Sequence, residues 1–210
     1  MMTRLLNAFL PARTPKERAQ REFRSVKFGP ADIAIDCGAN VGVVTAHLCK
    51  QAGQVYAFEP NPHAFAVLRK RFEAAPNVQC IPKGVSDQNG HARLYLHEHS
   101  DQDEVHWSTG SSLLDFKGNV RKDKFIDVEL VDLCEFIAGL GRPVKLLKMD
   151  VEGVECAILR KLIESGIVHR IAHIFVETHE EKVPALRAET DAIRALIRAR
   201  GIRNINLDWT

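Results

Sequence analysis

The stretch Ile33-Ala34-Ile35-Asp36-Cys37-Gly38-Ala39-Asn40-Val41-Gly42, followed by Val55-Tyr56-Ala57-Phe58-Glu59-Pro60, decides how this chain is read. Ile33, Ala34 and Ile35 make a short apolar run, as in a strand buried on both faces. Gly38 and Gly42 then open a helix with Val41, Val44 and Leu48 on its apolar side. The second run ends in Glu59, and Pro60 stops it. The order is strand, glycine turn, helix, strand, acid, which suits a nucleoside. The glycines let a ligand approach the backbone, and the acid accepts hydrogen bonds from two ribose hydroxyls. Charge-assisted bonds of that kind contribute roughly 1.5–3 kcal/mol each.

The spacing narrows the nucleoside. A dinucleotide pyrophosphate asks for G-x-G-x-x-G before a helix N-terminus. Here the pattern is D-x-G-x-N-x-G, with Asp36 ahead of the first glycine. A carboxylate there repels a pyrophosphate and suits a cationic ligand. S-adenosylmethionine (SAM) carries both a sulfonium and an ammonium. Asp36 to Gly42, with Glu59 beyond, resembles the first motifs of class I SAM-dependent methyltransferases. The same features oppose the rival reading, an NAD-dependent oxidoreductase on a similar fold.

A chain of 210 residues, 45% hydrophobic and 27% charged, builds one well-buried α/β domain. No run of 18 apolar residues is present, and Met1 to Leu10 is too short and interrupted for a secretory signal. The five cysteines (Cys37, Cys49, Cys80, Cys134, Cys156) are scattered without a C-x-x-C pair. They read as reduced, buried hydrophobes in a cytoplasmic protein. A catalytic thiol at Cys37 is the minor alternative. The net charge of +2 does not by itself suggest nucleic acid, and no nucleic-acid partner is expected. Charge is uneven, however, with residues 1–30 at +5 and the remainder at −3. Residues 1–30 are therefore expected to form a basic helical arm, interrupted by Pro11 and Pro15 and mainly solvated, ahead of the domain at 31–210.

Asn61-Pro62 is an N-cap with proline at N1, opening a helix that packs through Phe65, Leu68 and Phe72. Val78 to Ile81 reads as a third strand, leading to Ser86 and Asp87 and the turn Asn89-Gly90. In class I methyltransferases this strand end borders the adenine. Ser86 and Asp87 are thus candidate base contacts or simple turn residues. His91 to Leu96 alternates as an added strand. His97 to His106 is polar and lacks helical metal-ligand spacing, so a solvated loop is favoured over a metal site. Trp107 to Leu113 reads as a lid, and selectivity is assigned to residues 97–124 and the N-terminal arm. Phe125 to Val131 alternates as a half-exposed strand, and Asp132 caps a short helix.

Val144 to Met149 reads as a buried strand running into Asp150-Val151-Glu152-Gly153-Val154-Glu155 and a helix that ends at Gly166. Ile171 to His179 is a fifth strand with the polar end Glu177-Thr178-His179. Pro184 to Arg200 is the last helix, and Ile202 to Leu207 has room for one final strand.

The combination D-x-G-A-N-x-G, F-E-P, K-x-D-V-E-G-x-E and V-E-T-H, in order from about Ile33 to His179, resembles the FkbM-type methyltransferases. D-V-E-G-x-E, Asp150 to Glu155, is its most specific part. The resemblance implies an α/β, Rossmann-like three-layer sandwich, mostly parallel, with helices on both faces. It also implies methyl transfer from SAM to a hydroxyl of a sugar, polyketide or other small natural product. Class I methyltransferases usually close the sheet with an antiparallel seventh strand. With one strand after the last helix, the far edge is expected to be short, or completed by another chain as in a homo-oligomer. A non-catalytic SAM-binding module or partner subunit is the alternative function.

Ligands of open α/β sheets bind at the carboxyl ends of the strands. Asp36, Gly38, Asn40, Gly42, Glu59, Ser86 and Asp87 are accordingly assigned to the cofactor. Asp150, Glu152, Glu177 and His179 are left for the acceptor. Glu155 is read only as favourable charge at a helix N-terminus. Two arrangements are open. In one, His179 is a neutral base oriented by Glu177 or Asp150. In the other, Asp150 and Glu177 hold a divalent cation such as Mg²⁺. The metal-free arrangement is preferred, because no third carboxylate is securely placed.

Overall fold

The computed structural model describes residues 13–100, 103–105, 108 and 120–209. Most of the expected lid, including Trp107 and 109–113, and the first twelve residues lie outside the described part.

The first motif folds as read. Strand β1 (Ile33–Cys37) is buried along its whole length. Helix α2 is taken here as Val43–Cys49, after helix α1 (Pro15–Ser25). Strand β2 (Gln54–Phe58), helix α3 (Pro62–Arg71) and strand β3 (Val78–Ile81) follow. After an excursion described below come strand β7 (Val144–Met149), helix α5 (Glu155–Glu164), strand β8 (Ile171–Val176), helix α6 (Arg187–Ala199) and strand β9 (Ile205–Asn206). These six strands form one parallel sheet in the order β3-β2-β1-β7-β8-β9. Parallel strands need helices on both faces, hence their continuous apolar runs.

Alternation within the strands divides the core. Ile33, Ile35, Cys37, Leu147, Met149, Ile174 and Val176 face α5, α6 and helix α4 (Leu133–Gly139) through Ile137, Ile158, Leu162 and Ile193. On the other face, Ala34, Val55, Leu146 and Phe175 pack against Leu48 of α2 and Phe23 and Val26 of the α1 segment. Ala57 packs there against Leu68 and Phe72 of the α3 region. The result is the expected three-layer sandwich.

The added strands stand apart from the main sheet. Strand β4 (Gly84–Ser86), strand β5 (Gly90–His97) and strand β6 (Val120–Asp132) make a separate three-stranded sheet in the order β4-β6-β5. Strand β6 runs parallel to β4 and antiparallel to β5, so β4 leaves the main sheet where β3 ends.

From residue 13 on, the basic arm keeps its charged side chains in solvent as expected, yet its other side packs on the domain. Thr14 and Glu17 form a capping box around Pro15, and α1 buries Ala19 and Phe23. The Phe23 ring meets Phe175 edge-on at 5.3 Å and Trp209 at 4.3 Å. The arm therefore shares the core of the domain. Of the expected stripe on α2, Leu48 is fully buried and Val44 packs against the same cluster, with Thr45 buried beside them and Val43 in solvent.

The chain steps outward from β1 through β2 to β3, then crosses to β7 on the other side. The sheet order thus reverses between β1 and β7. Their carboxyl ends form the crevice where such sheets bind ligands. Among the described residues, no helix is long and apolar enough to cross a membrane.

Candidate active site

A cavity opens at that crevice. One wall is Gly38, Asn40 and Glu59 from the ends of β1 and β2. A second is Lys83, Gly84 and Val85 at the start of β4, and a third is Asp150, Val151 and Glu152 beyond β7.

The first wall is built by the glycine turn. Gly38 has φ 73°, and a Cβ there would sit 1.8 Å from the Asp150 carbonyl oxygen. Only glycine lets the two strand ends approach this closely. The Gly38 and Ala39 amides both donate to the Phe58 carbonyl, at 3.0 and 2.9 Å. Asn40 also takes the left-handed conformation, and its backbone N–H donates to Glu59 Oε2 at 2.8 Å. Its side chain donates to Ser108 Oγ at 2.9 Å, which fastens part of the 97–124 segment to the turn.

Glu59 Oε1 accepts the Asn61 amide at 2.8 Å. Each oxygen of Glu59 therefore carries one backbone donor and retains acceptor capacity toward the cavity. Burial pushes its pKa up to about 7, while the Asn61 and Asn40 amides and Lys148 pull it down.

Behind the turn lies an ion pair that the motif reading did not foresee. Asp36 and Lys148 are paired across β1 and β7 in the sheet register. Asp36 is fully buried, accepts from Thr45 Oγ1 at 2.6 Å and lies 3.3 Å from Lys148 Nζ. The ammonium also donates to the carbonyls of Gly38 (2.9 Å) and Cys37 (3.3 Å) and lies 3.8 Å from Asp150 Oδ2. Burial alone would lower the Lys148 pKa, but Asp36 and Asp150 reverse this and raise it. The Asp36 charge is thus met by a lysine of the protein, and Asp36 does not line the cavity. Lys148, the second of two lysines in the otherwise apolar β7, was the available signal.

Gly42 is likewise away from the cavity. It has φ 82°, and a Cβ would fall 2.5 Å from Phe72 Cε2 and 2.7 Å from Leu68 Cδ1, so its absence serves helix packing. Ser86 and Asp87 also miss the cavity. Ser86 is buried with β4 and donates to Asp87 Oδ1, while the Asp87 carbonyl accepts from Lys161. The preceding residues, Lys83 to Val85, take that wall because β4 turns away to join β6. Burial, then the Asp36 charge, raise the pKa of the Cys37 thiol and keep it protonated, against a nucleophilic role.

The third wall carries the acids. Glu152 has φ 61°, uncommon for a non-glycine residue, and this conformation turns the chain between β7 and α5. Glu155 is buried, and its two oxygens accept the amides of Val151 (3.1 Å) and Gly153 (3.0 Å), locking that turn. Beyond β8, His179 is 2% exposed. Its Nε2 lies 3.2 Å from Glu152 Oε2, 3.5 Å from Asp150 Oδ1 and 3.9 Å from Glu177 Oε1. Its Nδ1 lies 3.1 Å from Glu155 Oε1.

The structure thus brings Asp150, Glu152 and His179 together. Glu177 sits at the margin, bonded to Lys182 at 2.9 Å. Burial lowers the His179 pKa, but Glu155, Glu152 and Asp150 outweigh it and raise it to about 9. Glu155, expected only as charge at a helix terminus, thus also faces the His179 ring.

Residues 36–203 match the family model described as the methyltransferase FkbM domain. The chain is 26% identical over 156 residues to the 2-O-methyltransferase NoeI of Sinorhizobium fredii, covering 70% of this chain and 63% of that protein. It is 27% identical over 149 residues to the hexuronic acid methyltransferase AglP of Haloferax volcanii, covering 70% and 56%. With the 31-O-demethyl-FK506 methyltransferase FkbM of Streptomyces tacrolimicus it shares 29% over 181 residues, covering 74% and 68%. The chain thus spans between about half and two thirds of the length of these relatives. The glycine turn, the acid closing β2 and the acidic wall beyond β7 all lie within the matched span, and the chain belongs to the FkbM methyltransferase family.

Proposed function

We propose that this chain is a SAM-dependent O-methyltransferase acting on a hydroxyl of a sugar, polyketide or other small natural product. The observation that carries this reading is the cavity at the β1–β7 switch point. It has Glu59 on one wall and Asp150 with Glu152 on the other. The relatives named for 2-O, 31-O and hexuronic acid methylation support the reaction class.

The residues fit the cofactor. The shelf at Gly38 would admit it to the backbone, Glu59 offers acceptors for two ribose hydroxyls, and Lys83 to Val85 would be the wall available to the base. When bound, SAM supplies a methyl group already activated by its sulfonium. The protein then holds the acceptor hydroxyl in line, an effect that can contribute roughly 7–11 kcal/mol. Asp150 and Glu152 face the cavity as carboxylates able to receive the hydroxyl proton, which adds about 10²–10⁴-fold. The five free cysteines favour a reducing, cytoplasmic setting.

Turnover is the test. With a panel of hydroxylated sugars and macrolides, SAM should be converted to S-adenosylhomocysteine (SAH) in step with a methylated acceptor. SAH binding without turnover on any acceptor would favour the non-catalytic module.

A further inference from the structure

We infer that Asp150, Glu152 and His179 form a divalent-cation site on the acceptor side of the cavity. The inference uses the methyl-transfer reading for its role but not for its geometry.

Among the described residues, these three offer ligand atoms that all lie within 4.8 Å of one another. Acids alone would not make a site, since exposed carboxylates often cluster without an ion. Here the third member is a buried histidine, and neither ring nitrogen makes an aligned hydrogen bond. Its Nε2 faces Glu152, Asp150 and Glu177 at 3.2, 3.5 and 3.9 Å. An Nε2 carries at most one proton, and two carboxylates, Glu152 and Asp150, stand within 3.5 Å of it; a dication there would meet both.

The distances agree with such an ion. Cis ligands of an octahedral ion with bonds near 2.1 Å are separated by about 3 Å. The Nε2 contacts to Glu152 and Asp150 lie close to that spacing. On the far side of the ring, Glu155 lies 3.1 Å from Nδ1, the place taken by the carboxylate that orients a metal-bound histidine. Glu155 is itself fixed by two backbone amides. We therefore read Glu155 as a positioning residue.

Charge points the same way. Asp150, Glu152, Glu155 and Glu177 converge on this corner. Against these four carboxylates stand Lys148, shared with Asp36, and Lys182, bonded to Glu177. Two carboxylates with one imidazole make a hard-to-intermediate donor set, which suits Mn²⁺ or Mg²⁺. Asp150 and Glu152 also line the cavity, so an ion between them would touch an acceptor oxygen there. It would orient the hydroxyl and lower its pKa.

Mn²⁺ titration followed by electron paramagnetic resonance tests this on EDTA-treated protein. SAH calorimetry is run in parallel, and thermal melting confirms that each variant is folded. One Mn²⁺ should bind per chain. Glu152→Gln and His179→Ala should abolish that binding in protein that melts like wild type, and wild type should bind SAH. Glu155→Gln should weaken Mn²⁺ roughly 10–100-fold and alter its spectrum, as expected when an orienting partner is lost. No stoichiometric Mn²⁺, or equal binding by wild type and folded Glu152→Gln, overturns the cation site. If SAH still binds in that case, the methyltransferase reading stands. Mn²⁺ binding without SAH binding would sustain the site and overturn that reading.

Discussion

Lys148 is where the two halves of the crevice meet. Its ammonium holds the carbonyls of the glycine turn, pairs with buried Asp36 and approaches Asp150. Removing one member of a buried pair leaves the other charge uncompensated, which typically costs about 3–5 kcal/mol. Lys148→Met should therefore lose stability on that scale in urea denaturation, a larger effect than one hydrogen bond gives. Gly42 makes a contrasting case. A methyl group there meets Phe72 and Leu68 at a positive φ. Gly42→Ala should cost about 1–3 kcal/mol of stability with little change in SAH affinity. Strong loss of affinity at equal stability would return Gly42 to the cofactor wall.

Glu59 gives the residue scale a pH signature. Its folded pKa, raised from 4.5 to about 7, means that the folded chain binds more protons there than the unfolded one. Its ionisation therefore costs stability as pH climbs from 4.5 through about 7, and the effect levels off above. Ribose hydroxyls donate best to the ionised form. SAH affinity should accordingly rise between about pH 6 and pH 8, and Glu59→Gln should flatten that rise. A flat wild-type profile by calorimetry would mean that Glu59 is ionised throughout or does not meet the ribose.

At the scale of elements, α1 belongs to the domain core. Phe23 is 4% exposed and packs on Phe175 and Trp209. Phe23→Ala should cost about 3–5 kcal/mol, measured by chemical denaturation; a solvated arm would show almost none. The sequence signals for α1 were mixed, because its apolar residues are few among many arginines. Its capping box, Thr14 with Glu17, was legible in principle.

The parallel strands were easy to read, since burial on both faces leaves continuous apolar runs. The small sheet was not. Gly90–His97 and Val120–Asp132 alternate in the same way whichever sheet they join, and pairing partners are not written locally. That is also why Ser86 and Asp87 were assigned to the base. Once β4 turns toward β6, the cavity meets the residues just before them.

Across the whole molecule, the site was legible as a set of strand ends but not as a set of directions. Alternation told which residues sit at the ends of β1, β2, β7 and β8. It did not tell that Asp36 turns inward, because its partner Lys148 lies 112 positions away and is revealed only by register. Nor did it show that Glu155 reaches back under its own turn to His179. Those contacts arise from the sandwich as a whole, where strand ends from distant parts of the chain crowd one crevice.

Calorimetry of SAH binding, against NAD and against Glu59→Ala, tests the central claim most directly. SAH should bind better than NAD. Glu59→Ala should lose roughly tenfold or more of the SAH affinity, since a charge-assisted hydrogen bond contributes about 1.5–3 kcal/mol. A preference for NAD, or unchanged SAH affinity in folded Glu59→Ala, would contradict the account.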